Sequence, residues 1–245
     1  MRRKCRLTTL TAVLCLSLHA GRAFARADDK KFKDAGELSY VDSSGNTNST
    51  SLSFTNKMDY LFNPKTSLAW TAGGLYTKTG TEKSAERYFT DLKGERKVTE
   101  KVYGYLQTGW LRDPFAGIDA RYNGGAGAGY QLYKTAANDL KADAGFNYLV
   151  EERTTKEIKH SPSAVANVNY KLNITETILF GQDLYGNFDM DGGDNYESRS
   201  VTSFQASINS FLAWKNSYTV FYKHKPVPGF GTTDRTFATA LVITL

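Results

Sequence analysis

The chain has 245 residues, of which 40% are hydrophobic and 23% are charged, and its formal net charge is +6. Five of its 31 basic residues and none of its 25 acidic residues lie in residues 1–25, so the rest of the chain is nearly neutral. A nearly neutral chain lacks the basic surface that nucleic-acid binding requires. Both cysteines also lie in residues 1–25. Residues 26–245 therefore have no disulfides, thiolate metal sites or cysteine nucleophiles.

Residues 1–25 have the three parts of a cleavable secretory signal. A basic start at residues 2–6 is followed by a mostly apolar stretch over residues 7–20 and by the small-x-small motif Ala23–Ala25. The apolar stretch is shorter than the ~20 residues that a transmembrane helix needs, which favours a signal over an anchor. We predict cleavage after Ala25.

After cleavage, residues 26–35 are expected to form a short N-terminal periplasmic segment, and residues 36–245 are expected to form one domain. The first strand is predicted near Gly36–Val41. The clearest strand is Ser51–Phe62, in which apolar and polar residues alternate with a period of two, and Leu140–Glu151 repeats this pattern. Further segments of this kind are Ile118–Leu132, Ala164–Leu172 and the closing segment Phe237–Leu245.

No stretch after the signal approaches ~20 consecutive apolar residues, which excludes a helical membrane bundle. In lipid every backbone polar group must be bonded internally, so such a chain can span a membrane only as a closed barrel. We therefore predict an all-β fold, a transmembrane antiparallel up-and-down β-barrel of about twelve strands. The alternative is a soluble β-sandwich with ordinary core aromatics, but a sandwich does not explain the asymmetry between long and short links.

The links between the predicted strands alternate in length. The longer ones are predicted at Asp42–Ser49, Thr79–Glu86, Arg112–Gly117, Glu151–Pro162, Phe188–Glu197 and Lys223–Asp234. The tight ones are predicted at Asn63–Lys65, Thr99–Glu100, Thr135–Asp139, Asn173–Thr175 and Lys215–Asn216. Because outer-membrane barrels have long outside loops and short periplasmic turns, both termini are expected in the periplasm.

Charged residues occupy the strand faces opposite to the apolar ones. The predicted lumen-lining residues are Lys57, Asp59, Asp91, Lys93, Glu95, Lys97, Asp119, Arg121, Lys141, Asp143, Lys171 and Asp183. These mixed charges fit either a small polar channel with weak ion selectivity or pairs that close the lumen. Their signs nearly balance, so the sequence favours neither cations nor anions.

Catalytic signals are weak in this chain. After the signal the only histidines are His160, assigned to an outer loop, and His224, assigned to the outer end of the eleventh strand. An outward histidine near a serine and a carboxylate is a general base in lipid hydrolysis, but no serine at a recognisable motif spacing accompanies either one. No catalytic residue, metal ligand or cofactor site is therefore assigned.

Two further motifs have a structural interpretation. Asp189, Asp191 and Asp194 resemble the alternating carboxylates of a calcium loop, but the bidentate glutamate is absent, which favours a simple acidic outer loop. The glycine-rich block at residues 124–129 lacks the strand and helix of a dinucleotide site. Its glycines are expected to bend the strand or to let a bulky lumen side chain approach the wall.

Four segments resemble the YdiY-like family, a group of outer-membrane proteins described as salt-induced and without an established function. They are GELSYVDSSGNTNSTSLSF (36–54), FAGIDARYNGGAGAGYQLY (115–133), LKADAGFNYLVEER (140–153) and PVPGFGTTDRTFATALVITL (226–245). The resemblance covers nearly all of the chain after the signal. It implies a porin-like barrel in the outer membrane of a Gram-negative bacterium, and it implies no catalytic residues.

The expected function is that of a narrow polar channel or an envelope and osmotic-stress adaptation protein without enzymatic activity. Its expected partners are outer-membrane lipid, lipopolysaccharide, the barrel-assembly machinery, and small solutes or ions. The alternatives are a surface lipid-processing enzyme that uses His160 or His224, and a structural or adhesive barrel with a closed lumen.

Overall fold

The computed structural model describes residues 31–43, 49–191 and 195–244, which form one antiparallel β-barrel. Its strands are β1 (Phe32–Ser43), β2 (Ser49–Asn63), β3 (Thr66–Thr79), β4 (Glu82–Lys97), β5 (Val102–Asp113), β6 (Ile118–Lys134), β7 (Asn138–Arg153), β8 (Ile158–Asn173), β9 (Ile178–Asp189), β10 (Tyr196–Ser207), β11 (Leu212–Lys223) and β12 (Thr233–Thr244). Each strand pairs with its neighbours along the chain, and β12 pairs with β1. The predicted fold class, topology and strand number are confirmed.

The predicted signal and its cleavage site after Ala25 lie outside the described residues. β1 begins at Phe32, ahead of the start predicted near Gly36, because Phe32 pairs with Tyr60 of β2. No helix in the described ranges is long and apolar enough to cross a membrane.

The links lie at two ends of the barrel. The end at which β1 begins and β12 ends is called the terminal end, and the opposite end is called the loop end. The longest link, residues 224–232, is at the loop end. All six links there are shorter than predicted, and two of them are much shorter: residues 80–81 replace Thr79–Glu86, and residues 154–157 replace Glu151–Pro162.

The short link at residues 80–81 depends on Gly80, whose φ of 64° is favourable for glycine and lets two residues reverse the chain. Extension of β8 at the other shortened link places His160 inside a strand, so its assignment to a loop was wrong.

The tight link predicted at Lys215–Asn216 is also wrong, because both residues lie inside β11. The turn is at residues 208–211. There the side-chain oxygen of Asn209 accepts hydrogen bonds from the backbone N–H groups of Phe211, at 3.0 Å, and Leu212, at 2.8 Å. Asparagine side chains that bond the backbone two or three residues on stabilise tight turns.

The strands have one buried and one exposed face, as the alternation predicts. In β7 the outward Phe146 is 66% exposed, whereas the inward Glu151 is 2% exposed. The antiparallel register carries these faces from strand to strand, so that Asp143 of β7 lies opposite Asn167 of β8. Polar side chains therefore fill much of the interior, and apolar ones cover the outside.

Exposed aromatic side chains form a belt near each end of the barrel. The belt near the terminal end contains Phe32, Tyr60, Phe62, Tyr130, Tyr133, Phe204, Trp214 and Tyr218. The belt near the loop end contains Tyr40, Tyr88, Tyr122, Tyr148, Phe188 and Tyr196. Such paired belts mark the two membrane–water interfaces of transmembrane barrels.

The glycine-rich block of β6 lies under two buried tyrosines of β5. A Cβ atom on Gly127 would be 2.5 Å from the ring of Tyr105, and one on Gly129 would be 2.1 Å from the ring of Tyr103. These distances are too short for any side chain larger than hydrogen. The glycines were expected either to bend the strand or to let a bulky lumen side chain approach the wall. The structure shows the second role for Gly127 and Gly129.

The ladder between β1 and β12 is short. It contains four residue pairs, from Ala35 opposite Thr244 to Leu38 opposite Leu241, whereas β11 and β12 are joined by eleven pairs. Beyond Leu38 the two strands continue toward the loop end without ladder pairs between them. Since unpaired backbone groups are costly in lipid, this seam is the weakest part of the wall.

Cysteine pairs can test the length of this seam, because the chain after residue 25 contains no cysteine. We expect Leu38→Cys/Leu241→Cys to form a disulfide rapidly with a mild oxidant, since these residues are ladder partners. Tyr40→Cys/Thr239→Cys, two residues beyond the ladder, is expected to remain mostly reduced. Mass spectrometry of the refolded barrels measures both yields, and equal yields would show that the seam is closed over its whole length.

The packing of the tyrosines predicts a large difference between two glycines of the same strand. Gly127→Ala should lower the free energy of unfolding by about 1–3 kcal/mol, because its Cβ meets Tyr105 and the carbonyl oxygen of Ala144. Gly124→Ala is the matched control, since no atom lies within 4 Å of its Cβ. Urea titration in detergent, read by gel mobility, checks both variants, and equal losses would contradict the packing argument.

Candidate functional site

Ion pairs cross the interior between strands that are not neighbours in the sheet. The Lys93 cluster consists of Lys93 and Glu95 of β4 and Lys141 and Asp143 of β7. Lys93 Nζ is 2.9 Å from Asp143 Oδ2, and Lys141 Nζ is 3.4 Å from Glu95 Oε1. Because β5 and β6 separate these strands in the wall, the pairs pass through the interior.

The buried Asp143 has additional donors. The hydroxyl of Tyr103 donates to Asp143 Oδ2 at 3.1 Å, and Asn167 Nδ2 donates to Oδ1 at 2.7 Å. A buried carboxylate is costly unless its oxygens are bonded, and these donors fulfil that requirement. The Lys93 cluster is therefore tied to both β5 and β8.

A second set of ion pairs, the Arg121 cluster, lies closer to the loop end. It consists of Arg121 of β6, Glu151 of β7, Glu197 of β10 and Lys223 of β11, all of them buried. Arg121 donates to both carboxylates, with 3.0 Å from Nε to Glu151 Oε2 and 3.2 Å from Nη1 to Glu197 Oε2. Lys223 Nζ lies 3.2 Å from Glu151 and 3.1 Å from Glu197.

The Arg121 cluster joins distant strands of the barrel, its four residues have no net charge, and Arg153 donates a further hydrogen bond to Glu151 at 3.1 Å. β6 and β10 are separated by three strands, so the pair of Arg121 and Glu197 spans the interior. Beside Glu151, Glu197 and Lys223 there is a cavity of about 20 Å³, which is enough for about one water molecule. The cluster therefore leaves little free volume in the interior beside these three residues.

The link at residues 224–232 extends across the loop end above this level. Its Val227 is 1% exposed and packs against Gly117, which precedes β6 on the opposite side of the barrel. A Cβ on Gly117 would be 2.9 Å from Val227 Cβ and 2.8 Å from the ring of Phe230, and its φ of 77° also favours glycine. A hydrogen bond of 2.9 Å from the backbone N–H of His224 to the backbone carbonyl of Tyr196 also holds the link.

A third group of charges lies near the seam. Glu37 of β1 accepts hydrogen bonds from Lys57 of β2 at 3.2 Å and from Lys215 of β11 at 2.7 Å. Lys215 is the residue that sequence reasoning assigned to a turn. Its long side chain instead reaches across β12 to the carboxylate on β1.

A larger cavity, the terminal cavity, lies at the terminal end and has a volume of about 220 Å³. It is lined by Leu61, Pro64, Lys65, Ser67, Glu95, Lys97, Tyr103, Gln131, Lys134, Asp139, Lys141, Asn169 and Lys171. Five of these residues are lysines and two are acidic. The lumen is thus wider and more basic at this end than at the Arg121 cluster.

The predicted lumen residues divide into groups. Lys93, Glu95, Lys141 and Asp143 form the Lys93 cluster. Lys57 and Arg121 form ion pairs with acidic residues that were not predicted to line the lumen. Asp119 forms an ion pair with Lys156, and Asp183 accepts a hydrogen bond from Asn169. Among the described residues Asp59, Asp91, Lys97 and Lys171 form no ion pair. Sequence reasoning missed Glu197 and Lys223 because both had been assigned to link ends, although each continues the inward alternation of its strand.

Both histidines contact tyrosine side chains. His160 faces outward and its Nδ1 lies 3.3 Å from the Tyr148 hydroxyl. His224 stacks on Tyr196 with ring centroids 5.0 Å apart, and its Nδ1 lies 3.2 Å from the Tyr222 hydroxyl. Both histidines thus belong to the aromatic belt near the loop end.

The aspartates of the acidic loop are engaged in other contacts where they are described. Asp189 Oδ2 is 2.7 Å from Lys159 Nζ, and its Oδ1 accepts the N–H of Asp191 at 3.0 Å, while Asp194 lies outside the described residues. Within residues 31–43, 49–191 and 195–244, no group of three or more histidine, cysteine or acidic side chains is arranged to hold a metal ion.

Solved structures with a similar fold include membrane channels. The NanC porin gives a TM-score of 0.52 at 8% identity and covers 86% of this chain and 98% of its own. An outer-membrane channel from Pseudomonas putida F1 gives a TM-score of 0.54 at 8% identity and covers 87% of this chain and 94% of its own. At this identity the likeness concerns the fold, which is that of outer-membrane β-barrels.

Sequence comparison gives a family. The "Uncharacterized protein YdiY" of Escherichia coli (strain K12) is 24% identical over 199 residues, which cover 80% of this chain and 76% of that protein. The model of the family described as "Protein of unknown function, DUF481" matches residues 36–245. The resemblance seen in the sequence is thereby confirmed, and the chain belongs to the DUF481 family.

Proposed function

We propose that this protein is a narrow polar channel of the bacterial outer membrane that acts without catalysis. The main support for the proposal is the Arg121 cluster, which extends across a polar interior and has beside it a cavity of only about 20 Å³. The barrel fold, the apolar outer face and the two aromatic belts support the membrane location.

The constriction consists of side chains, which favours a channel over a permanently closed barrel. Arg121 and Lys223 each contact both Glu151 and Glu197, so one contact can break while the other keeps the charges compensated. Side-chain rearrangements occur within nanoseconds to microseconds, far faster than the opening of a folded plug domain. Small ions are therefore the solutes that fit this pathway best.

The orientation is proposed from the links. The longest link, residues 224–232, lies at the loop end, and outer-membrane barrels place their longer loops outside. The terminal end, and with it both chain termini, would then face the periplasm. Outer-membrane lipid and lipopolysaccharide would surround the wall, and the barrel-assembly machinery would insert it.

A role in envelope adaptation is compatible with this channel. A pathway limited to small ions would let them equilibrate across the outer membrane when external salt changes, while larger solutes are retained. The narrow level at the Arg121 cluster is the feature that gives this selection by size.

Opening the constriction should raise the conductance. We expect the unit conductance of Arg121→Ala/Glu197→Ala in a planar bilayer to exceed that of the unmodified barrel several-fold. The double substitution removes the contact that spans the interior and leaves the net charge unchanged, and Glu151 keeps Lys223 as its partner. Heat-dependent gel mobility establishes that both barrels are folded.

The control is Lys78→Ala/Glu82→Ala, which removes the same two charges from exposed positions at the loop end. Its unit conductance should equal that of the unmodified barrel. Folded Arg121→Ala/Glu197→Ala barrels that insert but carry no more current than this control would contradict the proposed constriction.

The absence of catalysis is tested with lipid substrates. We expect no fatty acid release from phospholipid or lipopolysaccharide above a blank without protein, because the environments of His160 and His224 are aromatic. Chromatography of the extracted lipids measures this. Release that His160→Ala or His224→Ala abolishes in a folded barrel would instead support a surface lipid-processing enzyme.

A further inference from the structure

Most lysines of the terminal cavity have no acidic partner. Lys141 pairs with Glu95, and Asp139 accepts a hydrogen bond from Gln131 at 2.9 Å. The other four cavity lysines, Lys65, Lys97, Lys134 and Lys171, form no ion pair with any residue in the described part of the chain. The cavity therefore holds an excess of positive charge that the protein itself does not neutralise.

The five lysines come from separate parts of the wall. Lys65 belongs to the link between β2 and β3, Lys97 and Lys134 end β4 and β6, and Lys141 and Lys171 belong to β7 and β8. Their side chains surround one cavity from several sides. Like charges held around a concave surface add their potentials, and the low-dielectric wall concentrates the field in the cavity.

The inner boundary of the cavity is fixed. Tyr103 is buried there and bonded to Asp143, and Glu95 is shared between Lys141 and Lys93, at 3.4 Å and 3.3 Å. These contacts hold the deeper charges in compensated pairs. The uncompensated lysines are exposed and lie toward the terminal end, where a solute from the adjoining solution reaches them first.

We propose that the terminal cavity binds a small multivalent anion that carries carboxylate or phosphate groups. Lysine ammonium groups are strong donors to both groups, and several of them around 220 Å³ match an anion that presents charge in more than one direction. The proposal extends the proposed channel function, because such a site would concentrate anions at one mouth of the lumen.

Calorimetry on the full chain purified in detergent tests the site, with citrate and inorganic phosphate as probes and glucose as a neutral control. All titrations are made at the same ionic strength, set with potassium chloride, because screening affects any basic surface. We expect saturable binding of citrate at a stoichiometry of one, weaker binding of phosphate, and no binding of glucose.

Two matched double variants locate the site. Lys97→Gln/Lys171→Gln should weaken citrate binding at least about tenfold, because it removes two uncompensated charges from the cavity. Lys78→Gln/Lys83→Gln removes the same charge at the loop end and should leave the affinity within about twofold. Absence of citrate binding, or equal weakening in both variants, would overturn the proposal.

Binding in detergent requires no ion flow, so this experiment is independent of the conductance measurements. A barrel that binds citrate through Lys97 and Lys171 but carries no current would overturn the channel and support the anion site. A barrel that conducts but does not bind citrate would overturn the anion site and support the channel.

Discussion

Closure of the backbone hydrogen-bond network is the constraint on which this barrel depends. A strand in lipid has no water to satisfy its N–H and C=O groups, so each strand must be paired on both sides. Eleven of the twelve strand interfaces follow directly from the chain order, since neighbours are joined by links. The twelfth, between β1 and β12, joins the two ends of the chain, and it has the fewest ladder pairs.

Closure also decides which charges must find partners. Once alternate residues face inward, the two carboxylates and two cations of the Arg121 cluster are buried together. Removing one partner from a buried ion pair leaves an uncompensated charge, which typically costs about 3–5 kcal/mol. The cluster is neutral as a unit, and each carboxylate contacts both cations. Mutual compensation explains how these four charged side chains can be buried together.

The sequence predicts the faces of the strands better than it predicts their contacts. A period of two is a local property, so Ser51–Phe62 and Leu140–Glu151 were assigned correctly to strands with one polar and one apolar face. The pairs across the interior depend on the barrel cross-section and on the stagger of distant strands, which leave no local signal. Lys93 and Asp143 were therefore both expected in the lumen, but their 2.9 Å contact was not.

Errors in the turns have a different physical origin. Polar residues such as Lys215 and Asn216 are compatible with a turn, and the outward Asn216 would be unusual in lipid without a partner. Here it accepts a hydrogen bond of 2.7 Å from Thr239 on the adjacent strand, so a polar pair replaces an apolar one. A cross-strand partner that lies far away in the sequence is what makes such a residue acceptable inside a strand.

The two ends of the lumen differ in how their charge is balanced, and solvation explains why. Near the loop end, the residues of the Arg121 cluster are buried, so their charges must compensate each other. In the terminal cavity, Lys97 and Lys171 are exposed, so water stabilises their charge without an acidic partner. In the proposed channel, an anion that enters at the terminal end would meet the unpaired lysines first and the compensated Arg121 cluster afterwards. Anion binding and ion passage would then be separate properties, set by different side chains of the same barrel.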